Sequence, residues 1–478
     1  MSPRSRSSLF STTCLCTVIC ALVGPARANP IDGTVTAGQA TISSSANTLD
    51  IHQHTDKAVI DWRGFDIAPG ETTAFHQPGS GSIALNRVNS NAASHIDGKL
   101  TANGNILILN QNGVMFGKNA QVDVNGIVAS TADTDNDAFM NSNTLTLNKP
   151  GNPDAGIVNE GRITAKEAGL VGFVAPNVIN SGVIEAKLGR VHLASGDTAT
   201  VDLYGDDLMS VAVSDSVTSQ LAANSGTIEA NGGKIALTAA AGKSIVNSLV
   251  LAEGTLKAQS VGMKNGEIVI SAEGSNAVRQ NITQNKGKKQ GKSTVLVSGT
   301  LDASGRNTGE RGGKITVTGD DVALLAGTII DASGHTGKSN TTEGKAISAV
   351  REDASGGDIR IGGDYLGLGE TPTAKNLYVD QGAFIINDAV NTGDAGRSIF
   401  WSDDTTRFYG NVLARGGSLA GDGGFVETSG HNLLDANGYV DLTAANGKRG
   451  TYFLDPTNVT IFGNVTSVFN NTALSENL

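Results

Sequence analysis

Few residues in this 478-residue chain are arranged for chemistry. His52 and His54 stand two apart, on one face of a predicted strand, and His76 and His95 follow. Imidazoles so placed can hold a metal, but no third ligand is fixed at a matching interval. Gly334-His335-Thr336-Gly337-Lys338-Ser339 ends like a phosphate loop. It has Ala332 where that loop's leading glycine belongs, and no helix follows to present its amides. Asp206-Asp207 and Asp320-Asp321 are carboxylate pairs of the kind some glycan-cleaving β-helices use, without Arg or His clustered beside them. Gly356-Gly357-Asp358 and Gly362-Gly363-Asp364 miss the nonapeptide period of calcium-binding coils. The basic run Lys286–Lys292 (KGKKQGK) lies among Gly, Asn and Gln and reads as a solvated loop. We read no catalytic residues, no metal site and no cofactor.

The elements that must position any site are short strands. From Phe75 to Thr131, apolar alternations (Ile83/Leu85, Ile106/Ile108, Val122/Val124) are separated by Asn103-Gly104, Asn112-Gly113 and Asn125-Gly126. No helical period survives there. Strands this brief cannot bury a face alone, so they must stack. Upstream, Val35, Ile42, Leu49-Ile51 and Val59-Ile60 read as strands, with Trp62 and Phe65 as rare aromatic bulk. They suit a cap over the first exposed edge of a stack. The polar stretch Ala132–Ala155 is too long for a simple connection and is expected to project as a hairpin or loop.

Downstream the sequence repeats itself. Asn159-Glu160-Gly161-Arg162-Ile163 is echoed by Asn180-Ser181-Gly182-Val183-Ile184 and Asn224-Ser225-Gly226-Thr227-Ile228. The glycines recur at Gly254, Gly299 and Gly327. These intervals fit one or two turns of a coil with variable loops. Gly233-Lys234-Ile235, Gly313-Lys314-Ile315 and Gly357-Asp358-Ile359 start a second strand per repeat. The expected fold is all-β: a single-stranded parallel β-helix with an N-terminal cap and extra-helical hairpins or loops. Each turn supplies two or three strands, with Val, Ile, Leu and Ala inward. Gly and Asn occupy left-handed corners, and stacked Asn side chains form ladders. About 18 turns would make a rod of roughly 85 Å.

Composition bounds the function. Net charge is −11, and no basic stripe accompanies aromatics, so nucleic acid is not an expected partner. Arg4 and Arg6, the apolar run from Leu9 to Val23, and Ala26-Arg27-Ala28 read as a secretory signal over residues 1–28, cleaved between Ala28 and Asn29. Cys14, Cys16 and Cys20 all lie within it, so the mature chain carries no disulfide and stays threadable.

Ala58–Val88, which ends Asn86-Arg87-Val88, and Asn103–Thr131 resemble the secretion domain of filamentous-haemagglutinin-type exoproteins, the passengers of two-partner secretion in Gram-negative bacteria. Gly423–His431 (GGFVETSGH) and Phe453–Ile461 (FLDPTNVTI) are similar to the high-molecular-weight adhesin branch. The resemblance implies a right-handed coil. It places a secretion domain over 29–270 and continuing, pro-piece-like turns over 271–478, ahead of a downstream domain. It also implies inner-membrane passage through the Sec translocon. An outer-membrane β-barrel transporter of the TpsB/Omp85 type then recognises the chain through its periplasmic modules. The secreted product acts at the cell surface on a host or bacterial receptor. The family's Asn-Pro-Asn-Gly-Ile motif falls on Asn110, Gln111, Asn112, Gly113 and Val114, with Phe116-Gly117 just beyond. Gln111 replaces its proline and Val114 its isoleucine. These residues mark a secretion signal or only close a β-helix corner. An adhesin is the first expectation. The export part of a contact-dependent inhibitor or haemolysin, and a polysaccharide-degrading coil, are the alternatives. Asn281, Asn340, Asn458, Asn464 and Asn470 head glycosylation tripeptides.

Overall fold

The computed structural model describes residues 29–202, 210–240, 247–272, 292–335 and 354–455. Alternating aliphatic residues punctuated by glycine and asparagine wind into a right-handed parallel β-helix with three long sheets. Each turn runs from the first sheet (for example Asn105–Leu109) to the second (Val114–Phe116) and the third (Gln121–Val124), then returns to the first at Gly126–Ser130. Within each sheet the strands pair in parallel with those one turn above and below. Ile228, Leu256, Leu301, Ile330, Ile385 and Val412 form one inward column of the third sheet, all fully buried. Burying each such side chain contributes about 1.5–3 kcal/mol, so every rung stabilises its neighbours.

Antiparallel strands close the N-terminal end. Thr34–Ala37 runs against Lys57–Trp62, and Ala40–Ser45 against Thr48–Gln53, which begins the parallel third sheet with Thr72–His76. Trp62 and Phe65 fill this end edge to face at 5.7 Å. The expected cap is therefore present. The pairing of Glu267–Ala272 with Lys314–Thr318 carries the first sheet past residue 270 without a break.

Four expectations need correcting. Among the described residues the first sheet has fourteen strands, and the first of these is antiparallel, which leaves thirteen parallel rungs. Among the described residues the rod is therefore roughly 60 Å long rather than 85 Å. Second, each glycine interval is one turn. The strands after Gly161, Gly182, Gly226, Gly254, Gly299 and Gly327 are successive neighbours in one sheet.

Third, only some corner glycines are left-handed: Gly327 (φ +88°) and Gly113 (φ +110°) are, whereas none of Gly161, Gly182, Gly226, Gly254 and Gly299 has a positive φ. Steric crowding selects them. A Cβ on Gly226 would stand 2.1 Å from the Gly182 carbonyl oxygen, and one on Gly182 equally close to that of Gly161. The corner asparagines are not left-handed either, but they do form a ladder. Asn159 Nδ2 donates to Asn180 Oδ1 at 2.7 Å, and Asn180 Nδ2 to Asn224 Oδ1 at 2.7 Å, all three fully buried.

Fourth, residues 132–155 do leave the coil, as expected, but they pack flat against it rather than project. They form a helix, Asn136–Asn141, and a strand, Thr144–Leu147, which pairs antiparallel with Thr198–Asp202. Ser210–Ala212 completes this small sheet. It lies on the outer face of the first sheet, where Leu85, Leu107, Leu109, Val128 and Val174 meet Phe139, Leu145, Leu147 and Val201 in a second core. The outward face there is apolar, so the excursion covers it.

Candidate functional site

Asn110 to Gly113 form the corner between the first and second sheets. The Gly113 N–H donates to the Asn110 carbonyl at 2.9 Å, closing a four-residue turn, and the Asn110 side chain accepts from the Asn112 N–H at 2.9 Å. Asn110 is fully buried; its Nδ2 donates to the Ala92 carbonyl (3.0 Å) and Ser94 Oγ (3.1 Å) one turn below. Asn112 Nδ2 reaches the Ser90 carbonyl at 2.8 Å. Gly113 has φ +110°, and a Cβ there would meet the Gly156 carbonyl oxygen at 2.7 Å. Gln111 is exposed at the tip. Val114 and Phe116 point into the core, where Phe116 stacks on Phe173 at 5.7 Å. Gly117 makes room for the Asp97 carboxylate, which accepts from the Asn119 N–H at 3.0 Å. The corner is thus tied to the turn beneath it by side-chain hydrogen bonds, with the Gln111 side chain exposed at its tip.

Asn86, Arg87 and Val88 lie one sheet away. Asn86 is buried; its Oδ1 accepts from Trp62 Nε1 at 2.9 Å, and its Nδ2 donates to the Leu107 carbonyl at 3.2 Å. It therefore ties the cap aromatics to the next rung. Arg87 faces outward under the excursion. Its guanidinium grips Asp133 (2.9 and 3.0 Å), Asp61 (3.1 Å) and the Thr134 carbonyl (3.0 Å). Lys57 Nζ donates to the carbonyls of Phe139 and Ser142. Val88 is buried. Two parts of the expected motif thus do different work: the corner orders the coil, while Asn86 and Arg87 fasten the cap and the extra-helical layer. Asp61 and Asp133 were missed by sequence reasoning. Their signal was the unbroken apolar runs Ile83–Leu85, Ile106–Leu109 and Ile127–Ala129, which require cover on both faces.

The other candidates scatter. His52 stacks on His76 (4.5 Å), His76 pairs with Asp50 at 2.9 Å, and His54 bonds Thr41 Oγ1 at 3.1 Å; His95 sits apart on the second sheet. Among the described residues no group of three or more His, Cys, Asp or Glu is placed to hold a metal. Asp320 is buried and accepts from Ser293 Oγ at 3.0 Å, and Asp321 pairs with Lys292 and Asn376. Asp358 bridges Arg360 and Arg397, and Asp364 holds Arg360. Gly334 and His335 make corner bridges to Ala389 and Glu310. Asn29 bonds the Asn47 carbonyl and Thr73 Oγ1 at the cap. Ala26, Ala28, Asp206, Asp207, the tripeptide asparagines and most of both the basic run and the phosphate-loop lookalike lie outside the described residues.

Two buried groups have the most strongly displaced pKa values among the described residues. Burial, aided by Lys234, pushes His192 down to about 3, and its Nε2 meets Thr238 Oγ1 at 2.7 Å. Burial pushes Glu427, in the GGFVETSGH segment, up to about 7, with Asp455 and Asp364 adding to the rise. Hydrogen bonds from Ser429 Oγ and the Leu366 N–H oppose it.

Comparison with known proteins agrees with this geometry. The crystal structure of the HMW1 secretion domain from Haemophilus influenzae superposes with a TM-score of 0.66 at 30% identity, covering 89% of this chain and 99% of that one. A heme/hemopexin-binding protein of Haemophilus influenzae is 35% identical over 316 residues, which are 65% of this chain and 34% of that protein. A second protein of the same name and species is 32% identical over 395 residues, 75% of this chain and 40% of that protein. The chain thus spans between a third and two fifths of these relatives. The sequence model of the TPS secretion domain matches residues 26–288. With that match and an N-terminal cap, a clamped extra-helical layer and a parallel coil in one chain, this protein belongs to the two-partner-secretion (TPS) secretion domain family.

Proposed function

We propose that the N-terminal turns are an export signal, read in the unfolded chain by the periplasmic modules of an outer-membrane β-barrel transporter. On this reading the secreted product then serves at the cell surface as a non-enzymatic adhesin. The observation that carries the export reading is the elaboration of the first turns. A plain solenoid needs neither a layer fastened by Arg87 and Asp133 nor a corner tied by Asn110 and Asn112, and both lie inside the family match. Folding outside would draw the chain forward, because each completed rung buries apolar surface and cannot re-enter the pore. The engaged carboxylates of Asp320 and Asp321 favour structure over catalysis at that pair.

The test is an Asn112→Ser variant, which keeps a turn-compatible side chain at a partly exposed position. Purified variant with wild-type unfolding behaviour but reduced export through the cognate barrel supports the signal. Unchanged export confines Asn112 to closing a corner.

A second reading draws on the two relatives named for binding heme and hemopexin. In it, the exported protein captures heme or its carrier. Retention of the secreted protein on hemopexin-coated resin would separate it from adhesion to cells.

A further inference from the structure

The outer face of the third sheet changes character along the rod. In its earlier turns this face carries ion pairs, Arg162 with Glu185 at 2.6 Å and Lys257 with Glu229 at 3.0 Å, and small polar residues, Thr227, Thr255 and Thr300, in register. Beyond residues 26–288 the register stacks Ile329, Phe384, Asn411 and Tyr439 in one outward column. Ile329, Phe384 and Tyr439 are 42%, 48% and 55% exposed, unusual for such side chains on a rung that buries its neighbours. The parallel column is Asp331, Ile386, Leu413 and Asp441. Three rung steps give the patch a length of about 14 Å, and two columns a width of about 7 Å.

That area, on the order of 100 Å², is far below the roughly 800 Å² per partner of a stable protein interface. It does fit a short stretch of sugar chain. Phe384 and Tyr439 lie two rungs, about 10 Å, apart, the scale of one disaccharide, with Asn411 between them; its Nδ2 is held by the Gln381 (2.9 Å) and Ala383 (3.3 Å) carbonyls, so a hydroxyl would donate to its Oδ1. Aromatic faces carry negative quadrupoles that attract the polarised C–H faces of pyranose rings, while amide and carboxylate groups bond hydroxyls. Charge narrows the class. The carboxylates of Asp331 and Asp441 flank the patch; the nearby cations are both paired, Arg306 with Asp302 (3.0 Å) and Asp331 (3.7 Å) and Arg415 with Asp388 (2.6 Å), and the chain carries −11 overall. An anionic glycan would be repelled.

We propose that Phe384, Asn411 and Tyr439 form a binding face for a neutral, extended oligosaccharide lying along the rod axis. This rests on the reading of the secreted product as a surface adhesin. Secreted protein is titrated with chitohexaose, cellohexaose and a heparin-derived hexasaccharide, with binding followed by saturation-transfer NMR. At least one neutral hexaose binds and the heparin fragment does not. Phe384→Ala and Tyr439→Ala each weaken binding about tenfold, as loss of an aromatic anchor does; Tyr439→Phe, which keeps the ring, binds as wild type. The same variants are scored for adherence to cells. Failure of both neutral hexaoses to bind, equal binding of the heparin fragment, or wild-type binding by both alanine variants overturns the proposal. Adherence that survives in a variant lacking both rings removes the saccharide face alone, whereas absence of adherence by the wild type removes the adhesin reading.

Discussion

Replacing Asn180 tests how the corners hold the coil together. Its Oδ1 accepts from Asn159 and its Nδ2 donates to Asn224, each at 2.7 Å and away from solvent. Alanine removes these two side-chain bonds, worth about 1 kcal/mol each, together with a long 3.4 Å bond from Nδ2 to the Gly182 carbonyl, and leaves the Asn224 acceptor without that donor, for a further cost of about 1 kcal/mol or more. The expected loss is therefore about 3 kcal/mol. Aspartate is worse at neutral pH, because it places a carboxylate oxygen against Asn224 Oδ1 in a dry site. The folded-state pKa of the introduced carboxyl would rise above its unfolded value, so Asn180→Asp recovers stability as pH falls and loses it as pH rises. Because a solenoid can open locally, the assay is amide hydrogen exchange across Ile157–Asn159, Val178–Asn180 and Ala222–Asn224, with urea unfolding as the global check. Protection within about 0.5 kcal/mol of wild type in Asn180→Ala would refute the ladder as a stabilising device.

Gly226→Ala drives a Cβ to 2.1 Å from the Gly182 carbonyl and should cost about 2–4 kcal/mol in urea unfolding, whereas Gly79→Ala, with nothing within 4 Å, should be near neutral. Gln111→Pro restores a rigid residue at the second position of the Asn110–Gly113 turn, and no hydrogen bond leaves the Gln111 N–H among the described residues. It should raise stability by about 0.4–1 kcal/mol, and a loss would show that the turn rejects proline's φ. Glu427 titrates at about 7 in the folded chain against an ordinary 4.5. The folded state therefore holds this proton more tightly, and its stabilising effect is complete below pH 4.5 and lost as pH rises through about 7. Around this carboxyl stand Asp364 and Arg360 from the loop and strand before it, Asp358 and Arg397 from the neighbouring rungs, and Asp455 beyond. Glu427→Gln should match wild type near pH 4.5 and exceed it at pH 8 by on the order of 2 kcal/mol, measured as urea midpoints.

The coil was legible wherever adjacent rungs repeat one sentence of sequence. Ile184, Ile228 and Leu256 follow their glycines at a fixed offset, and the parallel register preserves it. What escaped was long-range or steric. The pairing of Thr144–Leu147 with Thr198–Asp202 joins segments with no shared motif, so a polar stretch read as a projection. Glycine's role at Gly226 depends on an oxygen one turn below, which no local propensity encodes. Arg87 is an ordinary strand residue in sequence; only the fold brings Asp61 and Asp133 to it. The motif at Asn110–Gly113 was legible as a turn, and its ties to Ser90, Ala92 and Ser94 were not.

Outward passage of an unfolded chain can be tested most directly by locking two rungs together before export. Thr227 and Thr255 are register partners on the outer face of adjacent turns, and beyond residue 20 the sequence has no cysteine. A Thr227→Cys, Thr255→Cys pair sits at a spacing a disulfide can bridge and closes only in an oxidising compartment once the rungs have formed. If the coil folds only after crossing the barrel, forcing oxidation in the periplasm with the barrel blocked should leave the two thiols unlinked in register, and unblocking should release chain that acquires the bond outside. Release at the wild-type rate of chain already crosslinked between these rungs inside the periplasm would contradict it.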